Sequence, residues 1–316
     1  MLELRHLRYF IAVAAERNFT RAAEILNIAQ PPLSRQIKLI EEELGVTLIE
    51  RDKRPLELTP AGRLFYEQSL QVVQRMKQLR ETMAAYKSSR RPILPIGFVP
   101  SVIYGRLPDI VRAYRADFKE VDLELTEMTT LQQVAALKEG RVDIGFGRIM
   151  LDDDEAIEQI VLRRDPLVLA VPADHELARR KRRIPLSAIA GEALIIYPRA
   201  PRPSYADQVL SILRDKAIEP RRIREVMEMQ TAVGLVAAGS GLCLVPSSVR
   251  QLKRPNVAYC DLADDVATPI TMNIRIDDRT RGVLSMARVI KKIYLESKWP
   301  IPKALDDLAS RPMPSR

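Results

Sequence analysis

Two cysteines and two histidines in 316 residues leave little material for a disulfide framework or a metal centre. Cys243 and Cys260 lie in apolar, strand-like contexts (GLCLVP and VAYCDL), which suits buried free thiols. His6 falls in a helical pattern and His175 in a loop beside Asp174 and Glu176, and neither has ligand-type residues at metal-site spacing. Gly97, Gly145 and Gly147 make no dinucleotide fingerprint. No lysine-bearing phosphate loop and no nucleophile elbow are present. No apolar run approaches the roughly 20 residues that span a bilayer, and the N-terminus has no basic-then-apolar signal region. The expectation is a cytoplasmic binding protein rather than an enzyme, with no cofactor, no metal and no membrane. Internal repeats and low-complexity tracts are also missing.

Charge is present in excess of one sign. Lys and Arg number 50 against 41 Asp and Glu, a net +9, with a pI near 9.6. That balance favours a polyanionic partner. The excess is not at the start of the chain, since residues 1–58 carry nine cations and nine acids.

The stretch Asn18–Gly45 (NFTRAAEILNIAQPPLSRQIKLIEEELG) holds two short helical patterns around a break. Thr20 is placed to cap the first, whose Ala22, Ala23 and Leu26 present small residues to a close neighbour. Pro31 and Pro32 suit the opening turn of the second, where amides have no intrahelical acceptor. Leu33, Ile37, Ile40 and Leu44 then form one apolar stripe, ended by Gly45 as a left-handed cap. The outward face carries Gln30, Ser34, Arg35 and Lys38, with no acid before Glu41. This is the layout of a helix-turn-helix whose second helix enters a DNA major groove. An ordinary helical hairpin with a solvated face would show the same stripe. Leu4, Leu7, Ile11 and Ala14 supply a helix to close the core, and Glu41-Glu42-Glu43 is expected to face away from DNA. Two short strands, Val46–Glu50 and Leu56–Leu58, flank Arg51, Lys53 and Arg54, a cationic wing suited to phosphate contact.

With the wing in place, the run from LRHLRYF through LELTPAG resembles the LysR-type transcriptional regulators. The resemblance implies an all-α winged helix-turn-helix over 1–58, with Gln30, Pro31, Pro32, Ser34, Arg35, Lys38 and Arg54 at DNA. It further implies a pseudo-palindromic double-stranded operator, a homodimer or homotetramer, and RNA polymerase as a partner.

Thr59 and Pro60 open a long helix running to about Ser88. Phe65, Val72 and Leu79 repeat every seven residues, with Met76 and Met83 four places after Val72 and Leu79, a stripe that asks for a partner helix. Packing on its own chain is the alternative. Residues 59–88 are thus a linker and dimerisation helix, and 89–92 a hinge. Beyond it strands and helices alternate, which implies a mostly parallel α/β sheet. A second set of such units starts at Pro166–Val171. The resemblance implies a two-lobe effector domain of the type II periplasmic-binding-protein kind over 93–303. Lobe I covers about 93–164 and 268–303, and lobe II about 165–267. The tail 304–316 is expected to be disordered, and Arg179–Arg183 (RRKRR) to be a solvated loop.

Small anions bind such folds at strand ends and helix N-termini. Ser101 and Thr129-Thr130 each follow a strand and precede a helix. They can cap those helices or hydrogen-bond a carboxylate. Tyr197–Tyr205 is a proline-stiffened loop in which Arg199 and Arg202 could neutralise a carboxylate and Tyr205 offers an aromatic wall. GFVPSVIYGRLPDIV, LTEMTTLQQVAALKEGRVDIGFGR, YPRAPRPSYADQV and VMEMQTAVGLVAAGSGLCLVPSSV narrow the resemblance to the BenM/CatM group, which regulates benzoate and catechol breakdown. It implies a transcriptional activator with cis,cis-muconate, a dicarboxylate, bound at Ser101, Thr130, Pro203 and Tyr205. A second, aromatic-acid pocket of some members maps onto Arg148, Arg163 and Tyr294. Pro100, Tyr205 and Asp165 depart from the glycine, phenylalanine and glutamate expected in that group. A regulator responding to another small organic acid, or a solute-binding protein of the same two-lobe fold, would share many of these features.

Overall fold

The computed structural model describes residues 2–87, 91–151 and 154–314. The chain divides into two units, Met1–Pro92 and, apart from the short Lys138–Arg141 loop, the remainder from Ile93. Residues 89 and 90 of the expected hinge lie outside the described residues.

In the first unit α1 (Leu4–Glu16), α2 (Phe19–Ile25) and α3 (Gln30–Leu44) enclose one core. The buried face of α1 is Leu7, Phe10 and Val13, so the expected stripe through Leu4, Ile11 and Ala14 is rotated. Asn18, not Thr20, caps α2: its Oδ1 accepts from the amides of Thr20 at 2.8 Å and Arg21 at 3.1 Å. Asn18 wins because it is the last residue with extended backbone, the geometry a cap needs. Leu33, Ile37 and Ile40 of α3 are buried, whereas Leu44 in the last turn is 40% exposed. Gly45 takes φ +68° as the C-cap, a region open to glycine at no steric cost. The wing is shorter than expected: β1 (Ile49–Glu50) and β2 (Glu57–Leu58) pair antiparallel over two residues each.

Helix α4 (Pro60–Lys87) starts at Thr59, whose Oγ1 accepts from the Gly62 amide and donates to the Thr47 carbonyl. Gly62 passes so close to the Leu48 carbonyl that a Cβ would stand 2.0 Å from its oxygen. That approach brings Phe65 edge-on against Phe10, with centroids 4.9 Å apart. Phe65 therefore belongs to the core of its own chain and is removed from the expected dimer stripe. Val72, Met76, Leu79 and Met83 remain 36–57% exposed.

In the second unit β3 (Ile93–Phe98) lies parallel between β4 (Asp122–Glu127) and β5 (Ile144–Gly147). α5 (Leu107–Asp117) and α6 (Thr130–Lys138) connect these strands. β5 pairs antiparallel with β11 (Ala267–Arg275), and β11 with β6 (Ile157–Pro172). The run expected to begin a new set at Pro166 is the second half of this 16-residue β6. That half pairs with β9 (Cys243–Pro246) and β10 (Val257–Asp261), so one strand serves both lobes. Lobe II adds β7 (Ala193–Ile196) parallel to β8 (Arg222–Glu225), with α7 (Tyr205–Asp215) and α8 (Met229–Ala237). Each lobe has its own apolar core. The chain returns to lobe I through β11 and α9 (Arg281–Glu296).

The tail is a correction. Its residues continue into α10 (Lys303–Ala309), which buries Leu305, Leu308 and Ala309 against lobe I. Arg288 donates from Nε to the Ala309 carbonyl and from Nη2 to the Arg311 carbonyl, and Lys291 pairs with Asp306 at 2.6 Å. Its polar, proline-rich composition hid three apolar residues spaced for one helical face. Leu305→Ala should lower stability by about 2–4 kcal/mol, as for other fully buried leucines, read by urea unfolding.

Candidate functional site

Two regions gather the expected functional residues, one in each unit. In the first, Pro31, Pro32, Arg35 and Lys38 stand exposed on α3, and Gln30 and Ser34 are half-buried beside them. The loop after β1 is tied to this helix by one acid. Glu41 Oε1 accepts from the amides of Leu48 at 2.8 Å and Ile49 at 3.1 Å, and its Oε2 pairs with Arg51 at 2.8 Å. Arg51 also lies over the Phe19 ring and reaches Ser34 Oγ at 3.4 Å. Glu41 is thus a strut from α3 to the wing rather than an acid turned to solvent.

The wing cations are unequal. Lys53 sits between Glu50 at 2.9 Å and Glu57 at 2.7 Å. Its hydrogen bonds to Glu57 and Glu50 raise the Lys53 ammonium above its ordinary value and lower the Glu57 carboxyl. With Arg51 held by Glu41, Arg54 is the exposed wing cation without an acid paired to it among the described residues.

In the second unit a cavity of about 340 Å³ opens between the lobes. Its wall includes Ser101, Thr130, Pro203 and Tyr205, which come from three separate places in the chain. The two threonines at the start of α6 divide the work. Thr129 is the cap: its amide and hydroxyl both donate to Gln132 Oε1, and its Oγ1 accepts from the Gln132 amide at 3.3 Å. Thr130, the first helical residue, keeps its hydroxyl at the cavity, where it accepts from the Arg148 amide at 3.4 Å. α7 and α8 also begin at the wall, with Tyr205 and Met229 as first residues. The opening amides of three helices therefore edge one cavity, each with the positive end of a helix dipole.

Arg148 is the cation of this cavity and not of a separate one. Its side chain is only 3% exposed and that of Asp165 is fully buried, with Nη2 of Arg148 2.8 Å from Asp165 Oδ2. Arg148 Nε donates to Ser101 Oγ at 2.7 Å, and Nη2 donates to Ser248 Oγ at 3.2 Å. Ser247 and Ser248 both donate to Asp165. Burial by itself would raise the Asp165 carboxyl, but the Arg148 charge and the two hydroxyls outweigh it and hold it below its ordinary value. Because Ser101 Oγ accepts from Arg148, its own proton is free to donate into the cavity.

The other expectations separate. Arg163 lies over the Trp299 ring at 4.6 Å and Tyr294 donates to the Leu162 carbonyl at 3.1 Å, and the two line a pocket together that Arg148 does not share. A small void beside Arg163, about 50 Å³ and lined also by Asp165 and Ser248, has room for one or two waters. Arg202 is held by Asp207 and Glu225. Arg199 is exposed outside the cavity wall. The Tyr205 hydroxyl is turned away from the cavity to donate to the Leu244 carbonyl at 3.2 Å, while its ring stacks on Tyr197 with centroids 5.1 Å apart. Burial raises both phenols well above their ordinary range, so both stay protonated. Arg148 follows β5 just as Ser101 follows β3, and the same strand-end rule could have placed it in this cavity. Among the described residues no cluster suited to a metal ion occurs, and no helix is long and apolar enough to cross a membrane.

A family model described as "Bacterial regulatory helix-turn-helix protein, lysR family" matches residues 4–63, and one described as "LysR substrate binding domain" matches residues 87–292. The chain is 46% identical over 93% of its length to the "Probable cat1 operon transcriptional activator" of Acinetobacter lwoffii, covering 97% of that protein. It is 50% identical over 88% of its length to the regulator CatR of Pseudomonas putida, covering 94% of that protein. Full-length BenM, known from Acinetobacter baylyi, superimposes with a TM-score of 0.63 at 40% identity, over 96% of this chain and 100% of that one. The BenM effector binding domain has also been solved with its effector benzoate, and matches with a TM-score of 0.63 at 38% identity over 67% of this chain and 96% of that one.

Removing one partner of the buried pair leaves an uncompensated charge. Asp165→Ala should cost about 3–5 kcal/mol in chemical denaturation near neutral pH. Because the folded carboxyl lies below 3.8, its contribution is complete above that value and is lost as pH falls through the folded value. The gap between wild type and Asp165→Ala should be constant above pH 3.8 and close below it.

Proposed function

This chain belongs to the LysR family of bacterial transcriptional regulators, and from that premise we propose that it activates genes for aromatic-compound breakdown in response to a small dicarboxylate such as cis,cis-muconate. The observation that carries the effector reading is the convergence of three helix N-termini with the Ser101 and Thr130 hydroxyls on one cavity. Its volume of about 340 Å³ lies at the lower end of the range for small-molecule sites, about 300–1,000 Å³. Amides and dipole ends on both lobes suit a carboxylate at each end of the ligand. The stacked tyrosines, the prolines and Ile149 suit a flat carbon skeleton between them. A monoacid such as benzoate leaves one set of donors to water and binds more weakly. The effector binds one arrangement of the lobes better than another, and that difference in affinity shifts the regulator on DNA.

On the DNA side, α3 lies in the major groove with Gln30, Ser34 and Arg35 nearest the bases and with Pro31, Pro32 and Lys38 along its edge. Arg54 meets phosphate from the wing. Val72, Met76, Leu79 and Met83 join two copies into a dimer that offers two heads to a pseudo-palindrome, and tetramers span two such sites. The assembly works in the cytoplasm and hands the activating state to RNA polymerase.

Arg35→Ala should cost about 1–3 kcal/mol on the operator and relax specificity at one base position. Arg54→Ala should weaken specific and scrambled DNA alike and lower the salt slope by about 1. Quantitative mobility shifts at several salt concentrations read both, and equal losses on both DNAs for both variants would sink the division.

Calorimetric titration of the full chain should show muconate binding, with Ser101→Ala and Thr130→Ala each weakening it by about 1.5–3 kcal/mol, the range for a hydrogen bond to a charged group. DNA affinity without ligand should hardly change. No heat with muconate, beside a clear response to an uncharged or cationic metabolite, would overturn the effector reading.

A further inference from the structure

On lobe I the cavity rests on two pieces of chain that are distant in sequence. One is Met128, after β4, and the other is the turn from Phe146, near the end of β5, to Ile149; Met128 and Ile149 line the cavity. One buried polar row joins them. Gln133, on the second turn of α6, is fully buried, and its Nε2 donates to the carbonyls of Met128 at 3.2 Å and Phe146 at 3.0 Å. Its Oε1 accepts from Asn273 Nδ2 at 3.2 Å. Asn273 Oδ1 in turn accepts from Gln159 Nε2 at 3.0 Å. Gln159 closes the row on the loop, donating to the Ile149 carbonyl at 3.3 Å and accepting from the Leu151 amide at 2.8 Å.

The sheet is shaped to admit this row. Gly97 of β3 pairs with Gly145 of β5, Gly145 with Asn273 of β11, and Asn273 with Gln159 of β6, so the four positions form one line across four strands. Two adjacent glycines leave a trench where side chains would stand. A Cβ on Gly145 would lie 2.6 Å from Gln133 Oε1, and one on Gly97 would lie 3.1 Å from Gln133 Cγ. The same helix carries Thr130, one turn before Gln133, at the cavity.

We infer that Gln133, with Asn273 and Gln159, is a positioning residue for the effector site: the row fixes α6 and the ends of β4 and β5 so that Thr130, Met128 and Ile149 hold the cavity's shape. The row touches no ligand and acts only through backbone placement, and its effect on affinity rests on the effector reading above. A simple core role would lower stability without selecting the cavity. The buried hydrogen bond between Tyr114 and Ser285, 2.9 Å long in the same lobe, provides the contrast.

The test uses the full chain and two readouts. In amide hydrogen exchange without ligand, Gln133→Leu should speed exchange at residues 128–131 and 149–151 and leave α7 unchanged. Tyr114→Phe should lower the melting temperature without that pattern. In titration with cis,cis-muconate, Gln133→Leu should weaken Kd about tenfold and Tyr114→Phe should leave it within twofold. Should Gln133→Leu not fold, Gln159→Leu breaks the outer half of the row, where the side chain is only half-buried. It should speed exchange at 149–151 alone and weaken Kd. Wild-type protein that gives no heat with muconate refutes the effector reading, while the exchange pattern still decides on the row. Wild-type exchange and Kd in the row variants, or the same losses in Tyr114→Phe, would overturn the inference.

Discussion

The buried charge of Arg148 is the constraint around which the effector unit is arranged. A guanidinium taken out of water at this depth is tolerated only when paired and hydrogen-bonded. Its partners come from both lobes: Ser101 from the turn after β3, Asp165 from the middle of β6, and Ser248 from the turn after β9. Satisfying one side chain therefore brings three distant parts of the chain to one point. It also settles the polarity of the cavity. Ser101 is made an acceptor toward Arg148 and so a donor toward whatever enters, and the wall of the cavity carries a guanidinium paired with Asp165. A ligand with a carboxylate meets donors there without any residue having to turn.

Much of this was legible in the sequence, and the reason differs from element to element. The helix-turn-helix is a local object: the Gly45 cap, proline placement and the Leu33, Ile37 and Ile40 stripe are all read within one turn or two, though the cap of α2 proved to be Asn18. The cavity residues Ser101 and Thr130 were reachable by a topological rule, since strand ends in an α/β lobe converge whatever their separation in the chain. Pro203 and Tyr205 were reachable from the resemblance and the stiff loop around them. The roles of Glu41 and the Tyr205 hydroxyl were not legible, because each is decided by a backbone group in another element. Glu41 looked like one of three equivalent acids until the amides of Leu48 and Ile49 came within reach of it.

The line of Gly97, Gly145, Asn273 and Gln159 shows the limit most clearly. Each is an unremarkable strand residue in its own segment. Only the register of four non-consecutive strands places them side by side, and register between distant strands is set by cores and connections that no local pattern encodes. The tail erred for a different reason. Proline and polar residues dominated the reading of 300–316, and Leu305, Leu308 and Ala309 were too few to register as a periodic pattern. They suffice here because α9 and its neighbours already offer an apolar surface.

The first unit leaves an asymmetry that bears on assembly. Helix α4 is anchored at its start by Thr59, Gly62 and Phe65, and beyond that point Val72, Met76, Leu79 and Met83 stand 36–57% exposed. Val72, Met76, Leu79 and Met83 are spaced by four, three and four residues, which puts them on one face. Water against four such side chains is unfavourable by about 25 cal/mol for each Å² of apolar surface. A helix stabilised only by its own hydrogen bonds has no reason to keep that face apolar along its length, since polar residues propagate a helix equally well. On the proposed pairing, a second copy covers the stripe and fixes the spacing between two recognition helices. The reading head, neutral over residues 1–58, then relies on geometry rather than on bulk charge to find its site. Two heads held at one spacing discriminate better than one strongly cationic head, because the first head, once bound, holds the second at high effective concentration only over a correctly spaced half-site.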